Sequence, residues 1–271
     1  MPASLAESPA PILSRRDQDG VATLTLDRPA SRNSLSLEMI DALQAALDAI
    51  AKDRSTRVVI LAARGKSFSS GHDLKEIRAH RNDKDHGRAY DEELFARCAA
   101  MMQAIVALPK PVIAAVEGAA AAAGCQLVAT CDLVVAGDKA EFGLPGVNAG
   151  LFCSTPLVAV GRVIPRKAAI EMAMTGALYS AQQAERFGLV NRLVPAGSAE
   201  EEAMKLARAL IKHSGKTLAI GKRTFYGQIE MPLAKAYDFA SRAMIDNLAE
   251  RDADEGISAF LDKREPRWED E

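Results

Sequence analysis

Ser67-Phe68-Ser69-Ser70-Gly71-His72-Asp73-Leu74-Lys75-Glu76 and its distant counterpart Ala119-Ala120-Ala121-Ala122-Ala123-Gly124-Cys125-Gln126, which runs on to Asp132, decide how this chain folds. Each is a turn of small residues set directly after an apolar run, Val58–Ala62 and Val112–Val116, and each leads into a helical pattern. Small side chains after a strand let a ligand approach the backbone, and the first N–H groups of a helix have no internal acceptor. Two such elbows facing each other would grip one carbonyl oxygen between main-chain donors.

Outward from the elbows, residues 12–16 and 21–26 are expected to pair as strands across Asp19-Gly20, a strong hairpin dipeptide. Ser36 can cap a helix whose inner face carries Ile40, Leu43, Leu47 and Ile50. The unbroken apolar run Val58–Ala62 fits a strand covered on both faces. Residues 78–88 are polar and charged and read as a mobile loop, followed by a helix over Glu92–Leu108 that Pro109 and Pro111 stop. Strand 112–116, helix 123–130 and strand 132–136 follow. Beyond about residue 155 the pattern turns helical: 157–163, 166–175, 181–187, 199–211, 217–228, 233–248 and 252–263, with one strand at 189–193. The division expected is a disordered tail over 1–10, a core over 11–200 and a helical C-terminal region over 201–271. Ala236, Ala240, Ala243 and Met244 form a stripe that could bury another helix.

Composition narrows the function classes. Hydrophobic residues make up 48% and the formal net charge is −2, which leaves no general nucleic-acid or membrane footprint. No apolar run reaches the roughly 18–20 residues that span a bilayer. Cys98, Cys125, Cys131 and Cys153 lack C-x-x-C spacing and read as reduced core or pocket thiols. With no secretory or transit pattern at the N-terminus, the expected location is cytoplasmic. His80 and His86 have no third ligand at metal spacing, so no metal is expected, and no nucleotide-binding glycine motif precedes a helix.

Several segments resemble the enoyl-CoA hydratase/isomerase (crotonase) superfamily: Arg28-Pro29 with Arg32-Asn33-Ser34-Leu35-Ser36, Phe68–Leu74, Gly118–Asp132 with Phe142–Val147, and Glu255–Arg264. The Ser-Ser-Gly-His-Asp-Leu run and the run Pro145–Pro156 look most like its enoyl-CoA hydratase domain-containing protein 3 group. The resemblance implies an α/β crotonase fold, with a β-β-α spiral core and a helical C-terminal trimerisation region forming a homotrimer or homohexamer. The implied ligand is an acyl-CoA thioester of fatty-acid metabolism, with no separate cofactor. The implied oxyanion donors are the N–H groups of His72 and Ala123. If the Ala123 position required positive φ, Ala would carry strain there. Arg32, Asn33, Leu35, Ser70, Asp73, Leu74, Phe260 and Lys263 are the implied coenzyme A contacts, the last two often reaching the nucleotide of a neighbouring subunit.

The same resemblance places the two acid–base glutamates of the hydratases at Gln126 and Gly146, and the aspartate of relatives that isomerise or dehalogenate at Ser154. Loss of a positioned acid–base group typically costs about 10²–10⁴ in rate. Gln126, Gly146, Cys153 and Ser154 are therefore the candidate pocket residues, with His72 as a candidate base and Glu141 expected to face elsewhere. Two readings follow: an acyl-CoA enzyme with unusual partners, or a non-catalytic acyl-CoA binder or regulatory pseudoenzyme. RNA binding, which a few relatives show, is disfavoured by the near-neutral charge.

Overall fold

The computed structural model describes residues 11–269. The expected disordered tail over 1–10 lies outside the described residues. In chain order the elements are β1 (Leu13–Gln18), β2 (Val21–Leu26), α1 (Leu37–Lys52), β3 (Val58–Ala63), β4 (Ser67–Ser69), α2 (Leu74–His80), α3 (Arg88–Ala107), β5 (Val112–Val116), β6 (Ala119–Ala121) and α4 (Ala123–Thr130). There follow β7 (Leu133–Gly137), β8 (Glu141–Gly143), α5 (Ser154–Val163), α6 (Arg166–Thr175), β9 (Leu178–Ser180), α7 (Ala181–Arg186), β10 (Arg192–Val194), α8 (Ala199–Ile211), α9 (Gly215–Gln228), α10 (Leu233–Leu248) and α11 (Arg251–Asp262).

The strands form two sheets. One has six strands in the order β1-β2-β3-β5-β7-β10, antiparallel at β1/β2 and parallel from there on; the other has four in the order β4-β6-β8-β9. Three strands of the first sheet are each followed by a short strand of the second: β3 by β4, β5 by β6, β7 by β8. A helix then returns the chain, so the path is a β-β-α spiral.

The apolar run at β3 is explained by its two covers. Val59 and Leu61 join the large core beneath α1, α3 and α4, while Val58, Ile60 and Ala62 join a second cluster with Ala199, Ala203, Leu206 and Ala207 of α8. Alternate residues of a strand point to opposite faces, so a strand buried twice has no polar face to show.

Local signals act as their chemistry dictates. Asp19 and Gly20 turn the β1–β2 hairpin with φ of 51° and 79°. The Ser36 hydroxyl accepts from Met39 N at 3.2 Å and starts α1. The loop expected over 78–88 is smaller than that. Residues to His80 belong to α2, α3 starts at Arg88, and the turn between them is closed by His80 Nδ1 and the Asp83 carboxylate at 2.7 Å and by Asp85 Oδ2 accepting from Ala89 N at 2.9 Å. The strand expected at 189–193 is shifted to Arg192–Val194. The alanine stripe of α10 is half-buried within the chain, where Phe239 of the same helix lies against Gly227 of α9.

Candidate active site at the two elbows

Parallel pairing of β4 with β6 (Ser67 opposite Ala119, Ser69 opposite Ala120) brings the two small-residue turns side by side. Gly71 leaves β4 with φ of +86°, a conformation that a Cβ makes costly. A Cβ there would stand 2.9 Å from Ala122 Cβ and 3.0 Å from both Ala121 O and Ala123 N. A Cβ on Gly124 would run into the Ser69 carbonyl. The elbows are therefore interlocked at backbone contact, and only glycine at 71 and 124 permits it.

The first residue of α4 is Ala123, so its N–H has no acceptor one turn back. His72 follows Gly71, and no described hydrogen bond uses its N–H. The positive φ of the second elbow falls on Ala122 (φ 50°, ψ −121°) and not on Ala123, as the sequence had allowed. That is a region L-residues rarely occupy, and such residues cost about 1–3 kcal/mol. Ala122 N donates to Gly143 O at 2.9 Å, which ties the strained residue to β8.

The turn carrying Arg32, Asn33 and Leu35 is docked on the first elbow. Ser70 N donates to Arg32 O at 3.0 Å and Leu35 N to Gly71 O at 2.8 Å. Asn33 is fully buried. Its amide donates to Arg64 O and Ser67 O at 2.8 and 2.9 Å, while its oxygen accepts from Arg28 N at 2.8 Å. That side chain is wholly engaged in holding the turn. Asp73 caps α2 through Lys75 N at 2.9 Å and accepts from the Ser34 hydroxyl at 2.9 Å. Burial pushes its carboxyl up, but the hydrogen bonds from Lys75, Ser34 and Glu76 outweigh this and hold it below the usual range. Leu35 is sealed in the core, and Leu74 is exposed. Arg32, Asn33, Leu35, Ser70, Asp73 and Leu74 are thus brought together. Phe260, 83% exposed, and Lys263 lie at α11, which packs on α9 and α10, and no described hydrogen bond joins them to the elbows.

One turn into α4, Gln126 is only 6% exposed, and its Oε1 is buried with no partner. Gly146 sits in the short 3-10 turn Pro145–Ala149 after β8. A Cβ on it would stand 2.5 Å from Leu151 O and 2.7 Å from Cys153 Sγ. Cys153 is buried; burial pushes its thiol up, partly offset by a hydrogen bond from Gly146 N–H. Ser154 opens α5 as an exposed residue whose hydroxyl donates weakly to Phe152 O at 3.4 Å. Among the described residues, no base hydrogen-bonds to Cys153 or Ser154, so neither is set up as a nucleophile. Glu141 is exposed at the start of β8, as expected.

The His72 ring packs edge-on against Phe95 of α3, with centroids 5.2 Å apart. Sequence reasoning missed Phe95, because helical spacing relates residues along one helix and says nothing about a loop residue pressed against it. It also missed the link from Tyr90 Oη to Glu76 at 2.8 Å, which pins α2 to α3.

A family model described as enoyl-CoA hydratase/isomerase matches residues 16–271. This chain belongs to the enoyl-CoA hydratase/isomerase family. The mitochondrial enoyl-CoA hydratase domain-containing protein 3 of Rattus norvegicus is 47% identical over 262 residues, covering 97% of this chain and 86% of the relative. A crystal structure of an enoyl-CoA hydratase from Mycobacterium smegmatis is 49% identical with a TM-score of 0.91, covering 96% of this chain and 99% of that one. The crystal structure of human enoyl-CoA hydratase domain-containing protein 3 is 48% identical with a TM-score of 0.90, covering 95% and 100%. The fold is the crotonase fold of those enzymes. The expected cytoplasmic location does not stand: the rat relative, and those of mouse and human, are named as mitochondrial. Among the described residues, no helix is long and apolar enough to cross a membrane.

Proposed function

We propose that this family member binds acyl-CoA thioesters of fatty-acid metabolism, with the thioester oxygen held between the N–H groups of His72 and Ala123. The observation that supports the reading is the backbone contact of Gly71, the residue before His72, with Ala122 and Ala123. Donors placed where charge develops act without reorganisation, and one is typically worth about 3–4 kcal/mol. Arg32, Ser70 and Leu74 would lie along the coenzyme, with Phe260 and Lys263 supplied by a second copy in a trimer or pair of trimers. Exposed Tyr237, Ile245, Phe260 and Leu261 support burial of that region between subunits.

Efficient hydration of 2-enoyl thioesters is not part of this reading. Gln126 and Gly146 stand at the positions of the two glutamates, an amide cannot exchange a proton usefully, and position 146 has no room for a side chain. The test is calorimetric titration with coenzyme A and a chain-length panel of acyl-CoAs, alongside loss of 2-enoyl-CoA absorbance. Acyl-CoA binding above that of free coenzyme A, with slow or absent hydration, is expected. Rapid hydration, or no acyl-CoA binding, rejects it. A second reading, a binder without chemistry, draws on the unpartnered buried Oε1 of Gln126, and it predicts binding with no turnover of any acyl-CoA.

A further inference from the structure

Beyond α11 the chain runs on through Arg264–Glu269 with neither helix nor strand, yet it is fastened at almost every step. Arg264 forks onto Glu255 of α11, its Nη1 and Nη2 donating to the two carboxylate oxygens at 2.7 and 2.8 Å. Arg267 N donates to the same carboxylate at 2.7 Å. Trp268 Nε1 donates to Lys212 O at 2.7 Å, and Glu269 N to Asp252 Oδ1 at 2.8 Å. Asp252 is buried and accepts in turn from the Ser214 hydroxyl, which caps α9 by accepting from Thr217 N at 3.1 Å. The tail therefore straps α11 to the turn between α8 and α9. The indole ring lies on Gly256, where a Cβ would stand 3.2 Å from it. Glycine inside a helix is disfavoured against alanine, and here its bare face is the seat of the ring. By itself α11 buries only Asp252 and Ala259, while Ile257, Phe260 and Leu261 stay exposed. Apolar packing within the chain does little to fix this helix, and the strap takes that part.

We propose that Trp268 is a positioning residue for coenzyme A: it pins the strap that aims the end of α11 at the nucleotide. The proposal rests on the thioester reading above, in which Phe260 and Lys263 serve the coenzyme of a second copy. Lys263 takes the left-handed conformation that ends the helix, with φ of 56°, and the next residue is the clamped Arg264. Arg264 N also donates to Ala259 O at 3.0 Å, so the main chain of Lys263 is held on both sides. Gly256 and Phe260 are four residues apart and share one side of α11, which puts the ring's seat one turn from the residue the coenzyme would meet. Without the pin, α11 stays attached but shifts more freely, and binding the nucleotide must order it again. No described hydrogen bond joins the strap to the elbows on β4 and α4, so the thioester end of the ligand is insulated from the change.

The experiment uses the full chain and two ligands, hexanoyl-CoA and hexanoyl-pantetheine, the second having the thioester without the nucleotide. Trp268→Ala removes the pin, and Trp268→Phe keeps a ring but not the donor. Gly256→Leu favours the helix while filling the ring's seat, so its effect cannot be put down to a weakened α11. By calorimetry, Trp268→Ala and Gly256→Leu should bind hexanoyl-CoA about tenfold more weakly than the wild type. Their affinity for hexanoyl-pantetheine should be unchanged, and Trp268→Phe should fall in between. Trp268 is the one tryptophan of the chain, so wild-type emission reports on the strap directly. It should respond to hexanoyl-CoA and not to hexanoyl-pantetheine. Wild-type hexanoyl-CoA affinity in Trp268→Ala and Gly256→Leu overturns the proposal, as does emission that ignores saturating hexanoyl-CoA. An equal loss for both ligands also overturns it, because that marks general damage and not a nucleotide-positioning role. A wild type that binds neither ligand rejects the thioester reading itself, and the strap's purpose with it.

Discussion

Lys222 and Asp132 are a buried ion pair, Nζ to Oδ2 at 2.7 Å, with the lysine side chain only 7% exposed. The lysine also donates to Ile105 O and Lys110 O at 2.9 and 3.0 Å, and the aspartate accepts from Val112 N at 2.7 Å and Tyr226 Oη at 2.9 Å. This cluster fastens α9 to the entry of β5 and β7. Asp132 closes the second motif in sequence, yet its role is to brace the sheet from which the elbow springs.

Removing one partner of a buried pair strands the other. Lys222→Met should cost about 3 kcal/mol or more, measured by urea unfolding. A loss below about 0.5 kcal/mol would show that Asp132 is satisfied without the lysine.

Ala122 holds a glycine-like conformation, and Ala122→Gly should therefore stabilise the protein. The strain relieved is about 1–3 kcal/mol and the extra unfolded-state freedom costs about 0.4–1 kcal/mol, so a net gain near 1 kcal/mol is expected. Thermal unfolding reads it directly, and a lower melting temperature would count against the strain.

Placing carboxylates at positions 126 and 146, where the proposed reading puts the two glutamates of hydratases, should be asymmetric. Gln126→Glu replaces one buried side chain by another of the same shape and should fold. Gly146→Glu must displace the Leu151 carbonyl and the Cys153 sulfur, which stand 2.5 and 2.7 Å from its Cβ. The Gln126→Glu, Gly146→Glu double variant should gain crotonyl-CoA hydration only where the Leu151 loop shifts, and should melt below the single Gln126→Glu variant. Equal melting temperatures for the two would show that position 146 already has space.

Burial pushes the Cys98 thiol to about 11 and the Cys125 thiol to about 12. A thiol whose folded value is raised contributes stability that is fully present below its ordinary value of about 9 and fades as pH climbs through the folded value. Unfolding free energy should therefore decline with pH above about 9. At about pH 8, below that range, iodoacetamide should label neither thiol in the folded protein and both in urea, as read by mass spectrometry. Rapid labelling of either in the native state would show that it is not sealed in the core.

Much of the fold is legible in sequence because its signals are local. Asp19-Gly20 turns a hairpin, Ser36 caps a helix, and the doubly apolar Val58–Ala62 declares a covered strand, although not that α8 covers it. The second sheet was not legible. Three-residue strands such as Ser67–Ser69 and Ala119–Ala121 are too short to show alternation. Nor can residue types reveal that Ala122, and not Ala123, bears the left-handed φ, since alanine disfavours it at both. Asp132 meets Lys222 and Tyr226 across some ninety positions of chain, a contact that only folding creates. The free Nε2 of His72 depends on the Leu35 carbonyl in the same way.

In the proposed reading, thioester recognition turns on the Ala123 N–H, a donor whose removal breaks no hydrogen bond within α4. Ala123 is the first residue of α4, where proline breaks no intrahelical hydrogen bond, while its ring must be accommodated beside Gly71 and Ala122. With folding verified by circular dichroism, the decisive measurement is the affinity of Ala123→Pro for an acyl-CoA relative to free coenzyme A. The thioester's advantage should disappear, and any acyl-CoA turnover should fall by about 10²–10³. A folded Ala123→Pro protein that still prefers the thioester and turns it over at the wild-type rate would refute the oxyanion hole.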